Sequence, residues 1–530
     1  MSARRLVLVV SLFMLPLPAI AQLRDVDGAI AADDVGRVKF PTSCDPKVQI
    51  LFERGVAMLH SYWFGQARKT FESVLQDDPA CAMAYWGIAV DLLGNSLSAP
   101  PAPKAAQEAW EALEKARAIG AKTQRERDWI EALTAYYRDH DKTAVDARLL
   151  AYSKAMEQVA QRYSDDSEAQ VFYALTLQAA ASSSDRTYAN QLKSAAILEK
   201  LAQQDPKHPG VSHFLIHAYD YPPLADKGLA AARRYAGLAP AAPHARHMPS
   251  HIYSMIGFWE DSIASNRSAL EIQPDYYHAY DFAVYAHLQL GQDARAKTVI
   301  EQAVARARSG ARPGQLGQQT ALAAMPARHV LERADWAGAA TLMAAIANPI
   351  PQAESMIYFA RGLGLAHTGN PAGAKREIDA MQALRTQLEK AGQSYWADRT
   401  EEQMLAVSAW AAFAEGAHDQ ALKLMRAAAD GEDASVKHVA MENRLYPMRE
   451  LLADLLLEMG QAPAALREYE ASLRETPNRY RGLWGAARAA EAAGDRGKAA
   501  DYYAKLVALS ANADTTRPEL ARAKAYLAQR

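Results

Sequence analysis

Alanine and leucine fill most apolar positions of this 530-residue chain, and β-branched residues form no runs of strand length. This composition predicts a nearly all-helical protein. Pro206, Pro240 and Pro274 each separate two helical stretches, at intervals of 34 residues. Because proline is tolerated at a helix start but prevents the preceding helix from continuing, this spacing predicts a 34-residue helical repeat.

Other residues recur in the same register. We number the 34-residue units so that Pro206, Pro240 and Pro274 fall at position 32. Gly257 and Gly291 then lie at position 15, and the small residues Ser262 and Ala296 lie at position 20. Further units are marked by Gly55, Ala67, Phe71 and Pro79, and by Gly460, Ala465, Tyr469 and Pro477. The pattern resembles the tetratricopeptide repeat. The resemblance implies an all-α solenoid of stacked antiparallel helix pairs, in which the first helix of each pair lines a concave groove.

Two segments fit this repeat least well, residues 101–166 and the Gly/Pro-containing residues 308–318. We therefore expect an N-terminal solenoid over residues 22–307 and a C-terminal solenoid over residues 319–530, joined by 308–318. The spacing leaves open whether either divergent segment covers the groove as a lid.

The first 21 residues predict a secretion signal. A basic start, MSARR, precedes the apolar run LVLVVSLFML, and Ala-Ile-Ala at residues 19–21 matches the small residues before a cleavage site. No later segment has 18 consecutive apolar residues, so we expect an exported chain, periplasmic or secreted, without a membrane span. In an oxidising compartment the only two cysteines, Cys44 and Cys81, are free to form a disulfide. Two buried thiols are the alternative.

Charge and motifs narrow the range of functions. Without Arg4 and Arg5, 57 of the 59 basic residues remain against 61 acidic ones. This balance gives no electrostatic reason to expect nucleic acid as a partner. The chain also lacks a phosphate loop, a GxSxG turn and an HExxH motif. The blocks LHSYWFGQARKTF, CAMAYWGIA, HPGVSHFLIHAYDYP and PHARHMPSHIYSMIGFW resemble exported bacterial tetratricopeptide proteins, a resemblance that implies fold and export but no particular chemistry.

Histidines are concentrated in one part of the chain, since 8 of the 14 lie between residues 208 and 287. Counting units from Pro209, Pro243 and Tyr277 places six of them on the predicted groove face of three consecutive helices. These six are His213, His217, His244, His247, His251 and His278. His208 and His287 lie off that face, and we expect them to be structural.

Two imidazoles four residues apart share a helix face and can bind one ion. We therefore expect a divalent transition metal at His213, His217, His247 and His251. Additional ligands or hydrogen-bond partners are expected among Asp220, His244, His278 and Asp281. Imidazole and carboxylate without thiolate suit zinc, copper(II), iron or manganese. In an enzyme the ion would activate water or oxygen, with Asp220 or Asp281 as the base.

The alternative function is a non-catalytic scaffold that binds a peptide, a partner protein or a small molecule in the same groove. Trp86 and His60 also fall on the predicted groove face, where they form either a ligand wall or part of the stacking core. Arg328 and Glu332 are four residues apart, a spacing that predicts an ion pair within one helix.

Overall fold

The computed structural model describes residues 32–310, 316–439, 441 and 444–529. Within these ranges the chain forms helices and no strand. None of the described helices is both long and apolar enough to cross a membrane. Residues 1–21 lie outside the described ranges, so the secretion signal stays a prediction.

The helices follow one another with short connections. In chain order they are α1 (Gln49–His60), α2 (Phe64–Asp77), α3 (Ala82–Leu93), α4 (Pro103–Ile119), α5 (Gln124–Tyr137), α6 (Val145–Arg162), α7 (Ser167–Ala179), α8 (Ala189–Gln204), α9 (Pro209–Tyr219), α10 (Ala225–Leu238), α11 (Pro243–His247), α12 (Pro249–Ile256) and α13 (Trp259–Ile272). There follow α14 (Tyr277–Gln289), α15 (Asp293–Ser309), α16 (Leu316–Leu331), α17 (Trp336–Ala340), α18 (Pro351–His367), α19 (Pro371–Lys390), α20 (Ser394–Ala414), α21 (His418–Asp433), α22 (Met448–Glu458), α23 (Ala462–Glu475), α24 (Tyr480–Ala492), α25 (Arg496–Leu509) and α26 (Pro518–Ala528). Two 3₁₀ turns, Ala32–Val35 and Pro46–Val48, precede α1.

Consecutive helices pack as hairpins, and each hairpin packs on the next. Three first helices begin at Pro209, Pro243 and Tyr277, the starts that the 34-residue register predicts. Gly257 and Gly291 lie in the turns after these helices with φ of 74° and 67°, a left-handed conformation in which a Cβ would be strained. The predicted all-α, tetratricopeptide-like solenoid is confirmed.

The divergent segment 101–166 continues the alternation as α4, α5 and α6. These helices pack on their chain neighbours α3 and α7. In the region 308–318, α15 ends at Ser309 and α16 begins at Leu316, and residues 311–315 lie outside the described ranges. The groove is instead crossed by residues 434–439, which follow α21, where the Val436 amide donates to the Ser183 carbonyl at 3.3 Å.

The later helices return against the middle of the chain. The Trp259 indole donates to the Asn478 carbonyl at 2.8 Å, although 219 residues separate the two. Arg517 Nε donates to Asp293 Oδ2 at 2.9 Å across 224 residues. These contacts close the superhelix on itself, so the predicted groove face looks into an enclosed interior.

The expected ion pair between Arg328 and Glu332 is wrong, because each residue pairs with a different partner. Arg328 Nε lies 3.1 Å from Asp281 Oδ1 on α14. Glu332 follows the last residue of α16, and its Oε1 lies 2.9 Å from Nη1 of Arg479. All four side chains are buried. Asp281 compensates the charge of Arg328, and Arg479 compensates the charge of Glu332.

Candidate metal centre

The first pair of histidines is positioned by the limits of α9. His208 caps the start of the helix, because its Nδ1 accepts from the Val211 amide at 3.3 Å. His213 and His217 follow one turn apart. The helix ends at Tyr219, and the prolines at 222 and 223 keep it from continuing. Asp220 therefore lies at the helix end, one turn beyond His217.

The second pair spans a break between α11 and α12. Pro249 has no amide hydrogen, and the helix is interrupted at Met248. His247 precedes the break and His251 follows it, yet their Nε2 atoms lie 3.1 Å apart. His244 on α11 and His278 on α14 complete the set of six.

The six imidazoles form two groups, which we call the first triad (His213, His217 and His244) and the second triad (His247, His251 and His278). Within each triad one nitrogen of every ring lies within 4.8 Å of the others. The four histidines predicted as one ligand set are thus divided between two triads. The triads are adjacent, with the ring centroids of His217 and His251 5.9 Å apart.

In the second triad, the Nδ1 atoms of His247 and His251 each lie within hydrogen-bond distance of an acceptor oxygen. His247 Nδ1 lies 2.6 Å from Asn266 Oδ1, and the amide nitrogen of Asn266 donates to the Ser262 carbonyl at 2.7 Å. His251 Nδ1 lies 2.7 Å from Asp220 Oδ2, which also accepts from Lys437 Nζ at 2.8 Å. Both Nδ1 atoms therefore carry the proton, and both neutral rings present the lone pair of Nε2.

Those two lone pairs face each other across 3.1 Å, with no proton to share. This arrangement is repulsive unless a cation lies between them. A tetrahedral ion with nitrogen ligands at about 2.0–2.1 Å separates them by about 3.3 Å, close to the observed distance. His278 Nδ1 is buried and has no hydrogen-bond partner among the described residues.

The first triad has a related arrangement. His213 Nδ1 lies 2.5 Å from the His60 carbonyl oxygen, which can only accept, so His213 presents the lone pair of Nε2. That atom lies 3.0 Å from His244 Nε2, and His244 Nδ1 lies 2.8 Å from the Tyr276 hydroxyl. His217 Nε2 is buried without a hydrogen-bond partner in the described part of the chain.

Burial keeps all six rings neutral. It lowers the pKa of His213 to about 3 and the pKa of His247 to about 4. Burial also lowers the pKa of the other four imidazoles, and neighbouring histidines lower it further. For Asp220, burial raises the pKa while the Lys437 ammonium opposes the increase. Neutral imidazole is the form that binds a metal.

Residues 434–439 complete the enclosure, and nothing in the sequence around Lys437 signals this role. Lys437 reaches Asp220 from 217 residues away. Beside it lies a cavity of about 180 Å³. His217, Asp220, Gln178 and Gln191 line this cavity, and each has a buried side-chain atom without a hydrogen-bond partner among the described residues. The space is large enough for water or a small ligand beside His217 of the first triad and Asp220.

Other predicted site residues lie outside the triads. Asp281 Oδ1 lies 3.1 Å from Arg328 Nε, and its expected role as a metal ligand or base stays a prediction. Trp86 is fully buried and packs on Phe40 and Trp129, with centroid distances of 5.4 and 5.3 Å, which favours the core interpretation.

His60 belongs to a separate buried cluster. Its Nε2 lies 2.7 Å from Glu168 Oε2, and His208 Nε2 lies 2.9 Å from Glu168 Oε1. The carboxylate accepts one hydrogen bond from each ring, so these polar atoms satisfy one another. Near this end of the chain, Cys44 and Cys81 are joined in a disulfide.

Comparisons with known proteins provide no functional assignment. No protein-family model matches the chain, and no curated protein matches it. Among solved structures, the chain is similar to the APC/C hetero-tetramer Cut9–Hcn1, with 14% identity and a TM-score of 0.36 over 92% of this chain and 77% of that one. It is also similar to the human IFIT1 dimer with m7Gppp-AAAA, with 13% identity and a TM-score of 0.35 over 77% of this chain and 87% of that one. Function is therefore argued from the histidine site alone.

Proposed function

We propose that this protein binds a divalent transition metal ion through His247, His251 and His278. The observation that carries the proposal is the pair of Nε2 lone pairs facing each other at 3.1 Å, each fixed by an acceptor at Nδ1. An ion bound by both nitrogens turns this repulsion into two coordination bonds. Asn266 and Asp220 act as positioning residues, because they set the tautomer and orientation of the rings.

The ligand set favours zinc, copper(II), iron or manganese over copper(I), since it contains imidazole and no thiolate. Three imidazoles leave a coordination position open, as in catalytic rather than structural zinc sites. The protein ligands are neutral, and Lys437 offsets the charge of Asp220. The charge of the ion is therefore not compensated by the protein, and we expect the open position to bind an anion.

These features support a metal-dependent enzyme that acts on a small molecule in the adjoining cavity. When bound, the ion would lower the pKa of a coordinated water and so supply a nucleophile near neutral pH. Asp220 already accepts from His251 and Lys437, so its role is to position His251 and to retain Lys437. The enclosure by residues 434–439 would keep bulk water from the centre.

Export to an oxidising compartment is part of the proposal. It is supported by the pattern of residues 1–21 and by the pairing of Cys44 with Cys81. Binding of a peptide or partner protein remains the alternative if no metal is found.

The test is elemental analysis by plasma mass spectrometry of the untagged protein. It is measured as isolated and after incubation with zinc, copper, iron and manganese. We compare the wild type with His247→Ala/His278→Ala, and with His418→Ala as a control because His418 is exposed on α21. Metal that is present in the wild type and the control and falls by about one equivalent in the second-triad variant supports the proposal. No metal in the wild type under any condition refutes it.

A further inference from the structure

We infer that the first triad, His213, His217 and His244, holds a second metal ion, so that the six histidines form one dinuclear centre. The inference rests on the proposed function, because the second ion is expected beside the ion of the second triad. It extends that function by assigning a separate site and a class of bound ligand.

The first observation is the fixed lone pair of His213. Its Nδ1 donates to the carbonyl oxygen of His60, an obligate acceptor, at 2.5 Å. The lone pair of Nε2 therefore points at His244 Nε2, 3.0 Å away. This distance again matches two nitrogen ligands on one ion at about 2.0–2.1 Å.

The second observation is independent of the first. His217 is only 4% exposed, and its Nε2 has no hydrogen-bond partner among the described residues. A buried polar atom left without a partner loses its hydrogen bond to water without replacement, so such atoms are rare. Its ligand atom lies within 4.8 Å of those of His213 and His244, and an ion held by all three supplies the missing partner.

Hydrogen bonds within the protein can satisfy only two of the three rings of the first triad. If the Tyr276 hydroxyl donates to His244 Nδ1, then His244 Nε2 carries the proton and can donate to His213 Nε2. That chain satisfies two of the rings and leaves His217 without a partner. Coordination by an ion, with His244 donating to the Tyr276 oxygen, satisfies all three rings.

The two triads are close enough to share a ligand. Ring centroids of His244 and His247 lie 5.9 Å apart, as do those of His217 and His251. Known two-metal sites hold their ions about 3.5–4 Å apart. Imidazole binds metals in its neutral form, and three imidazoles leave one position of a tetrahedral ion open, so each ion can take a further ligand. We therefore assign the shared ligand to a small oxygen-donor anion that contacts both ions.

The test is a titration of the metal-free full-length protein with cobalt(II), followed by visible absorption and by metal analysis after desalting. We compare the wild type with His213→Ala/His244→Ala, His247→Ala/His278→Ala and the control His418→Ala. The expected result is about two equivalents for the wild type and the control, and about one for each triad variant. Circular dichroism checks that each variant is folded.

A readout on the wild type alone covers the case in which a variant does not fold. Two copper(II) ions that share a ligand couple magnetically, so the wild-type EPR signal should be weaker than its copper content requires. The first-triad variant should show the full signal of its single ion. Two equivalents with an uncoupled wild-type signal overturn the shared centre.

The outcomes separate this inference from the proposed function. One equivalent in the wild type, kept by the first-triad variant and lost by the second-triad variant, overturns the second ion and leaves the proposed function intact. One equivalent that is lost only with the first triad refutes both. No bound cobalt in the wild type also refutes both.

Discussion

Arg479 offers a direct test of how the superhelix closes. The side chain is fully buried. Its guanidinium donates two hydrogen bonds to Glu450, from Nε to Oε1 at 2.7 Å and from Nη2 to Oε2 at 3.0 Å. It also pairs with Glu332 at 2.9 Å and donates to the Tyr285 hydroxyl. One cation at the N-cap of α24 thus compensates two carboxylates, and it joins α14, the end of α16 and α22.

Replacing Arg479 by methionine keeps much of the apolar contact but leaves two buried carboxylates without their cation. Breaking a buried pair by removing one partner costs about 3–5 kcal/mol. Arg449 is a suitable control, because it pairs with three carboxylates but its side chain is 22% exposed. Arg449→Met should cost no more than about 1 kcal/mol, since exposed pairs contribute little.

Native-state hydrogen exchange is the suitable assay, because it measures local opening in a repeat protein that need not unfold in one step. A loss of 3–5 kcal/mol corresponds to roughly 200- to 5,000-fold lower protection of the α24 amides. The double variant Arg479→Met/Glu450→Gln should recover part of this loss, since one uncompensated charge is removed.

The sign of the pH dependence provides a second check. Burial raises the pKa of Glu450, and Arg479 opposes that increase. Without Arg479 the carboxyl should hold its proton to higher pH, so the Arg479→Met deficit should be smaller at pH 5 than at pH 8. Equal protection in Arg479→Met and Arg449→Met would refute the reasoning.

Three further predictions concern Asp220, Asp91 and the disulfide. Asp220→Asn should weaken metal binding about 10- to 100-fold by removing the carboxylate that positions His251. Competition with a chelator measures the affinity, and an unchanged affinity would show that Asp220 does not position this ligand. Burial raises the pKa of Asp91 to about 7, so the folded state binds its proton more tightly than the unfolded state. Wild-type stability should therefore fall, relative to Asp91→Asn, by up to about 4 kcal/mol as pH rises from about 4 to about 7; parallel denaturation profiles for the two would contradict this. Replacing Cys44 and Cys81 by serine opens a loop with a sequence separation of 37, and should cost about 4 kcal/mol of local stability in the exchange of α1 and α3; full protection in the variant would count against it.

Much of the fold could be predicted because it depends on local spacing. Prolines at intervals of 34 residues placed the starts of α9, α11 and α14, and the glycines at position 15 marked the turns. The same register placed six histidines on one face of three neighbouring helices. This prediction needs only the 3.6-residue helical period and the repeat length, both of which are readable along the chain.

Spacing could not divide the histidines into two triads. His244 lies in the same short helix as His247, yet it belongs with His213 from another hairpin. Asn266 contacts Nδ1 of His247 and Tyr276 contacts Nδ1 of His244. Both residues reach the site from other parts of the hairpins. These pairings depend on how closely adjacent hairpins pack, and the register carries no information about that.

The sequence by itself determined the helical hairpins, their register and the concentration of histidines on one face. Only the tertiary structure decided that Lys437 meets Asp220, that Asp281 is committed to Arg328 and that Glu332 is committed to Arg479. The physical reason is that a solenoid adds a small rotation at every repeat. The sum of these rotations over more than a hundred residues brings Lys437 to Asp220 and Arg479 to Glu332, whereas the packing of the neighbouring helices α14 and α16 brings Arg328 to Asp281.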